Sequence, residues 1–284
     1  MPPVHSGWAL ESLSKFPQTD MPRIITLTTD FGQSDYDTGV LSGVIWRIAP
    51  EARVIDLSHE IPRHAVLQAA LMLGRCTPYF PEDSIHVVVV DPGVGTGRRG
   101  LAARLGNQWF VGPDNGLLTQ MWQRAQAMQL PVEIVHLTSA RYWLEDISAI
   151  FHGRDIFAPV AAHLAAGVPL SNFGPPVSDP ILIHIPQPER IATGWQGTIL
   201  HVDAFGNLST NLERRHFPAS PSVEIRLADA SIFGLVRTFG EGRPGELVAL
   251  FDSSGMLSIC VVNGNAAARL GVKTGDSLEA RFDE

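Results

Sequence analysis

The stretch Ile24-Ile25-Thr26-Leu27-Thr28-Thr29-Asp30-Phe31-Gly32 decides how the first half of this chain folds. Its first six residues are aliphatic or β-branched without interruption, as in a strand covered on both faces, and Asp-Phe-Gly then ends the run in a turn. A helical pattern follows over residues 36–48, a second strand at 54–57, a helix at 64–74 and a third strand at 85–90, interrupted only by His86. A strand pair at 101–105 and 108–111, a helix at 117–127, a strand at 132–137 and a helix at 156–166 continue the series. Such strand–helix alternation specifies a twisted α/β sheet. Pro175, Pro176, Pro180, Pro186 and Pro188 then interrupt it. Beyond Gly194 only short β-like runs remain, at 197–202, 222–227, 246–251, 257–262 and 277–282, with turn residues between them. The expected fold class is therefore α/β: an α/β domain over residues 21–188 and a small antiparallel β-domain over residues 189–284. Residues 1–20 mix Pro, Ser and His without periodicity and read as a flexible extension.

Composition narrows the function. Of 284 residues, 45% are hydrophobic and 18% charged, a globular balance. The net charge of −8 argues against nucleic acid or an anionic membrane as partner. Two cysteines, Cys76 and Cys260, offer neither a disulfide framework nor a zinc-binding pair. The first twenty residues lack the basic and apolar regions of a signal peptide, and no apolar run approaches the ~20 residues that span a bilayer. A cytoplasmic location is the expectation.

Four loops gather polar residues and glycines where strands end. They are Thr29-Asp30-Phe31-Gly32 with Asp35, Asp91-Pro92-Gly93-Val94-Gly95-Thr96-Gly97-Arg98-Arg99, Phe151-His152-Gly153-Arg154-Asp155, and Asp203-Ala204-Phe205-Gly206-Asn207. Open α/β sheets bind ligands at the carboxyl ends of their strands, where the first two belong. Gly95-Thr96-Gly97-Arg98-Arg99-Gly100 fits G-x-G-x-x-G, but it leads into a strand and not the helix that dinucleotide binding needs. Asp30, Asp35, Asp56 and Asp91, with His59, His64 and His152, have the residue types for a metal-dependent phosphohydrolase, yet no H-x-H or H-x-x-x-H pair occurs. Asp155 suits the cap of the helix that follows it, which leaves His152 unexplained. Asp203 and Asn207 suit a β-turn, and an Asn side chain can equally read a nucleobase edge. Phe205 and Phe239 can stack on a base or belong to the core.

Taken together, these loops resemble the S-adenosyl-L-methionine (SAM) hydroxide adenosyltransferases, the hydrolases related to fluorinase and chlorinase. Gly112-Pro113-Asp114-Asn115-Gly116 and the continuation Ile156-Phe157-Ala158-Pro159 add to the likeness, which spans nearly all of residues 23–284. The resemblance implies hydrolysis of SAM to adenosine and L-methionine by attack of water at C5′, with no metal and no cofactor. It implies that the first domain is Rossmann-like and three-layered, that the second is an antiparallel β-barrel, and that the chain forms a homotrimer with SAM between subunits. A catalytic set maps onto Asp91, Arg98 and His152. Substrate contacts map onto Asp30 for the ribose, Asp203 for the methionine ammonium, Asn207 for adenine, and Ser253 for the methionine carboxylate. Asp35, His64, Phe151, Gly153, Phe205 and Phe239 complete that set. Ser254 departs from the halogenases' arginine, and His64 stands where they carry tryptophan. Asp91 replaces their tyrosine and favours water over halide. A halogenase, the phosphohydrolase and a non-catalytic SAM or nucleoside sensor are the alternatives.

Overall fold

A computed structural model describes residues 22–218 and 222–282. The extension expected over residues 1–20 lies outside the described residues. Contacts divide the rest into two compact units, one running to Ala69 and resuming over Cys76–Ile181, the other comprising Ala70–Arg75 and the chain from Leu182.

The first unit is built on a six-stranded sheet ordered β2-β1-β3-β5-β4-β6. The strands are β1 Ile24–Thr29, β2 Arg53–Ser58, β3 Ile85–Val89, β4 Gly100–Leu105, β5 Gln108–Pro113 and β6 Val132–His136. Strands β2, β1, β3 and β5 run parallel to one another. The β4–β5 pair is a hairpin, and β4 runs antiparallel to β6 as well. The sheet is thus mixed. Helices α1 Asp37–Ile48, α3 Thr119–Ala127 and α4 Ala158–Ala165 accompany it, while α2 Val66–Cys76 is divided between the units, Ala70–Arg75 belonging to the second.

Alternation along the strands sorts the layers. Ile25, Leu27, Val87 and Val89 face a core shared with Leu41 and Ile45 of α1 and Val160, Ala161 and Leu164 of α4. Each fully buried aliphatic side chain there contributes roughly 1.5–3 kcal/mol. Thr26, His86 and Val88 face the other way and are also buried. Arg124 of α3 serves this second face, donating to Thr77 Oγ1 at 2.7 Å.

The second unit is an antiparallel, nearly closed barrel ordered β11-β10-β14-β8-β9-β13-β12, with β7 paired to β8. Its strands are β7 Glu189–Ile191, β8 Gly194–Val202, β9 Leu208–Glu213, β10 Val223–Leu227, β11 Ala230–Phe233, β12 Leu247–Phe251, β13 Met256–Val261 and β14 Ser277–Phe282. Past β11, the Val236 N–H donates to Ala249 O of β12 at 2.9 Å, drawing the two ends together. A short helix, α5 Ala266–Leu270, is capped by Asn265, whose side chain accepts from Ala268 N.

Three departures from the sequence reading have clear causes. Strand β9 was not anticipated because Leu-Ser-Thr-Asn-Leu-Glu looks like a polar loop. Ser209, Thr210 and Asn211 are nevertheless buried, and Thr210 Oγ1 donates to Leu257 O while Asn211 Nδ2 donates to Pro186 O. Strands β7 and β11 are three and four residues long, too short to show a period. The helix expected from residue 156 begins as one π-helical turn, Gly153–Phe157, before α4. Asp155 does not cap it: its buried carboxylate instead accepts from Ser148 N at 2.8 Å and pairs with Arg154.

Candidate active site

Asp30 and Asp91 leave the carboxyl ends of β1 and β3, adjacent parallel strands whose Thr29 and Val89 are register partners. The loop after β3 folds back on itself. Gly93 N–H donates to Asp91 Oδ1 at 3.2 Å, and Thr96 Oγ1 donates to Gly93 O at 2.6 Å. The turn returns Arg98 to Asp91. Arg98 Nε lies 3.1 Å from Oδ1 and 2.9 Å from Oδ2, and Nη2 closes the pair on Oδ2. The same Nη2 donates to His152 Nδ1 at 2.8 Å. The guanidinium also sits over the Phe157 ring, 5.2 Å from its centroid. Side-chain exposure is only 5% for Asp91 and 11% for Arg98, so the pair is largely withdrawn from water.

His152 is brought to this edge by the π-helical turn that begins beside it. A Cβ at Gly153 would meet both Phe31 Cζ and Val89 Cγ1 at 3.4 Å, van der Waals contact, so the turn packs closely on both. Phe31 and Phe151 meet edge to face at 5.7 Å, joining the first loop to the third. Burial, then the Arg98 charge, holds the His152 imidazole below its ordinary pKa, against the weaker pull of Asp91 and Asp155. His152 is therefore neutral at pH 7. With Nδ1 accepting from Arg98, its proton resides on Nε2.

The other first-unit residues named from sequence are placed as follows. Asp30 Oδ2 accepts from His64 N at 2.9 Å, and His64 itself adopts a φ of 63° with an exposed side chain. Asp35 is exposed and accepts from Tyr36 N. Sequence reasoning gave His59 only as a candidate metal ligand. It is fully buried, its Nδ1 2.9 Å from Thr29 Oγ1 and its backbone carbonyl accepting from Gly32 N, so it braces both ends of the first loop. His59 Nε2 stands 3.1 Å from Asp56 Oδ1, close enough for a charge contact but without hydrogen-bond geometry. Asp91 is committed to Arg98, and among the described residues no three His, Cys, Asp or Glu side chains converge to hold a metal ion.

In the second unit, Asp203, Phe205, Asn207, Phe239 and Ser253 all line one cavity of about 670 Å³. The β-turn reading of the Asp203 loop is correct as well. Asp203 Oδ1 accepts from Phe205 N and Asn207 N, its Oδ2 accepts from Asn207 Nδ2 at 2.9 Å, and Gly206 takes a φ of 83°. Phe205 and Phe239 are 76% and 47% exposed, which settles them as surface rings and not core. Ser254, noted from sequence as departing from the halogenases' arginine, lines it too, and so do Arg75, His201, Asp252 and Cys260, which were missed as site residues because nothing in their local sequence marks them. Asp252 is the frame of its far wall, accepting from Ser254 N, Met256 N, Ser209 Oγ and Ser258 Oγ. Burial, reinforced by Asp203 and Asp252, pushes the Cys260 thiol up to about 12, so it stays protonated and inert.

Comparison with known sequences decides the lineage. The SAM hydroxide adenosyltransferase N-terminal domain matches residues 25–174, and the corresponding C-terminal domain matches residues 197–279. This chain belongs to the SAM hydroxide adenosyltransferase family. Within that family it is similar to an (R)-S-adenosyl-L-methionine hydrolase of Salinispora tropica, at 42% identity over 89% of this chain and 96% of that protein. A fluorinase of an Actinoplanes species is more distant, at 26% identity over 83% of this chain and 90% of that one. A crystal structure of an uncharacterised conserved protein from Thermotoga maritima superposes with a TM-score of 0.83 at 36% identity, covering 90% of this chain and 99% of that one. No helix of this adenosyltransferase-family chain, among the described residues, is long and apolar enough to cross a membrane.

Proposed function

We propose that this chain hydrolyses SAM to adenosine and L-methionine, with Asp91, Arg98 and His152 acting on the attacking water. The observation that carries the proposal is the withdrawn Asp91–Arg98–His152 cluster at the carboxyl edge of the sheet, in a chain 42% identical to a SAM hydrolase.

The sulfonium makes the leaving group easy. Water oxygen bonds to C5′, the C5′–S bond breaks, and its electron pair stays on sulfur as the neutral thioether of methionine. The water must lose a proton. Neutral His152, with its hydrogen on Nε2, is a donor toward that water and not its base, so Asp91 is the proton acceptor. Arg98 and His152 then stabilise the oxygen as negative charge develops. General-base help of this kind is typically worth ~10²–10⁴-fold, and positioning in a dry site supplies much of the remainder. Asp30, Asp35, His64, Phe151 and Gly153 on the first unit and the cavity residues of the second are assigned to substrate. A homotrimer with SAM at the subunit interface and a cytoplasmic location go with this reading, on the strength of the resemblance. So does the absence of a metal or cofactor.

Pairing with Arg98 cancels most of the Asp91 charge, so electrostatic repulsion of halide is a weaker argument than Asp91 alone suggested. The preference for water rests instead on greater similarity to the hydrolase than to the fluorinase. The hydrolase relative's name specifies the R form of SAM, and we extend that preference to this chain.

The test is incubation of the pure protein with separated R and S epimers of SAM in H₂¹⁸O, with and without EDTA and with added halide. Equimolar adenosine and methionine, with ¹⁸O at the 5′-hydroxyl and rates indifferent to EDTA, are expected, faster from the R epimer. A halogenated nucleoside, EDTA inhibition, or intact SAM that still binds by calorimetry would instead establish the halogenase, metalloenzyme or sensor reading.

A further inference from the structure

The second-unit cavity contains a cation that the water chemistry leaves unused. Arg75, in the last turn of α2, lines the cavity, and its half-buried side chain makes no hydrogen bond, ion pair or ring contact with any described residue. A guanidinium partly removed from water without an acid beside it is costly, and an anionic ligand relieves that cost. The cavity's other arginine, Arg237, is 91% exposed and lies 4.0 Å from Glu241, so it is both solvated and balanced.

Asp203 and His201 line the same cavity as Arg75. The His201 ring feels both Arg75, which lowers its pKa beyond the larger effect of burial, and Asp203, which raises it. The cavity lining therefore carries a carboxylate and an unpaired guanidinium that both act on one imidazole, with Ser253 and Ser254 also on the lining. This is the complement of an α-amino acid zwitterion, which carries ammonium and carboxylate on a single carbon.

We propose that Arg75 binds the α-carboxylate of the methionyl end of SAM, beside the Asp203 that the family resemblance assigns to its α-ammonium. The proposal rests on SAM as substrate. It assigns Arg75 the carboxylate contact that Ser254, standing in place of an arginine, leaves open. The planar fork of arginine suits a carboxylate bidentately, which lysine cannot reproduce. Arg75 is a specificity residue: it sorts substrates by their amino-acid end and takes no part in bond making.

The test compares SAM with decarboxylated SAM, which keeps the sulfonium and the ammonium but lacks the carboxylate. Wild-type protein, Arg75→Gln and Arg75→Lys are assayed on both by HPLC. A charge-assisted contact of this kind is worth about 10- to 100-fold. Arg75→Gln should lose that factor in kcat/KM on SAM, chiefly through KM, and stay within about twofold of wild type on decarboxylated SAM. Arg75→Lys should fall between. An equal loss on both substrates, or none on SAM, overturns the proposal. If Arg75→Gln does not fold, wild-type protein that turns over both substrates equally overturns it too. Should wild-type protein hydrolyse neither, the hydrolase reading fails by itself, and calorimetry of SAM against wild type and Arg75→Lys still decides the carboxylate contact.

Discussion

Arg98 Nη2 donates to His152 Nδ1 at 2.8 Å while the same guanidinium holds the Asp91 carboxylate through two nitrogens. One cation therefore orients a carboxylate and fixes the tautomer of its neighbour. Replacing Arg98 by Met should release both. We expect kcat to fall at least ~10²-fold, and the His152 pKa to rise toward its ordinary value as one of its two depressing influences disappears. Histidine signals followed by NMR across pH 5–8 check the second point. An unchanged His152 titration in Arg98→Met would contradict the geometry.

Asp203 poses a choice between turn and ligand that one substitution resolves. Asn at this position can still accept from Phe205 N and Asn207 N, so the turn survives, but the charge and the acceptor for Asn207 Nδ2 are gone. Asp203→Asn should keep its melting temperature within about 2 °C, while KM for SAM rises about tenfold or more. Wild-type KM would reduce Asp203 to a turn residue.

Two glycines of the Asp91 loop should respond in opposite ways to the same change. Gly95 has a φ of 75°, and an added Cβ would collide with the Ala149 carbonyl just ahead of the His152 loop. Gly97 has open space around its Cα. Gly95→Ala should cost about 2 kcal/mol or more in urea unfolding and most of the activity, whereas Gly97→Ala should stay within about 0.5 kcal/mol.

Acid should destabilise the first unit through His86. This histidine is fully buried on β3 with Nδ1 2.8 Å from Thr26 Oγ1, and burial, aided by the Arg124 charge, lowers its pKa to about 3. A histidine pKa depressed by folding means that the unfolded chain binds the extra proton. Stability is then fully present above the unfolded value of ~6.5 and falls as pH drops toward 3, at up to about 1.4 kcal/mol per unit from this group. Urea midpoints between pH 4 and 7 should show that slope, and His86→Asn, which retains an acceptor without titrating, should flatten it. Equal slopes in both proteins would place the acid sensitivity elsewhere.

How much was legible depended on how local each cause was. The strands β1 and β3 and the hairpin β4–β5 were readable because a buried strand needs an apolar run, and the run itself is the signal. The Asp91, His152 and Asp203 loops were readable because glycines and acids cluster at strand ends. Strand β9 was not, since its polar side chains are paid for by Leu257 O and Pro186 O, partners 47 and 25 residues away. Asp155 looked like a helix cap until Ser148 N and Arg154 were seen to claim its carboxylate. His59 and Arg75 carried no local mark at all.

The sequence by itself determined the strand–helix alternation, the change to short β-runs after the prolines, and the residue types at each strand end, because these follow from periodicity and turn chemistry within a few residues. Only the tertiary structure decided that Arg98 bridges Asp91 and His152, that neutral His152 keeps its proton on Nε2, and that Arg75 reaches the cavity of Asp203 without an ion pair to any described residue. Those relations join residues 54 and 128 positions apart. Hydrogen bonds and charges act over a few ångströms of space, and no pattern along the chain records which distant atoms folding brings within that range.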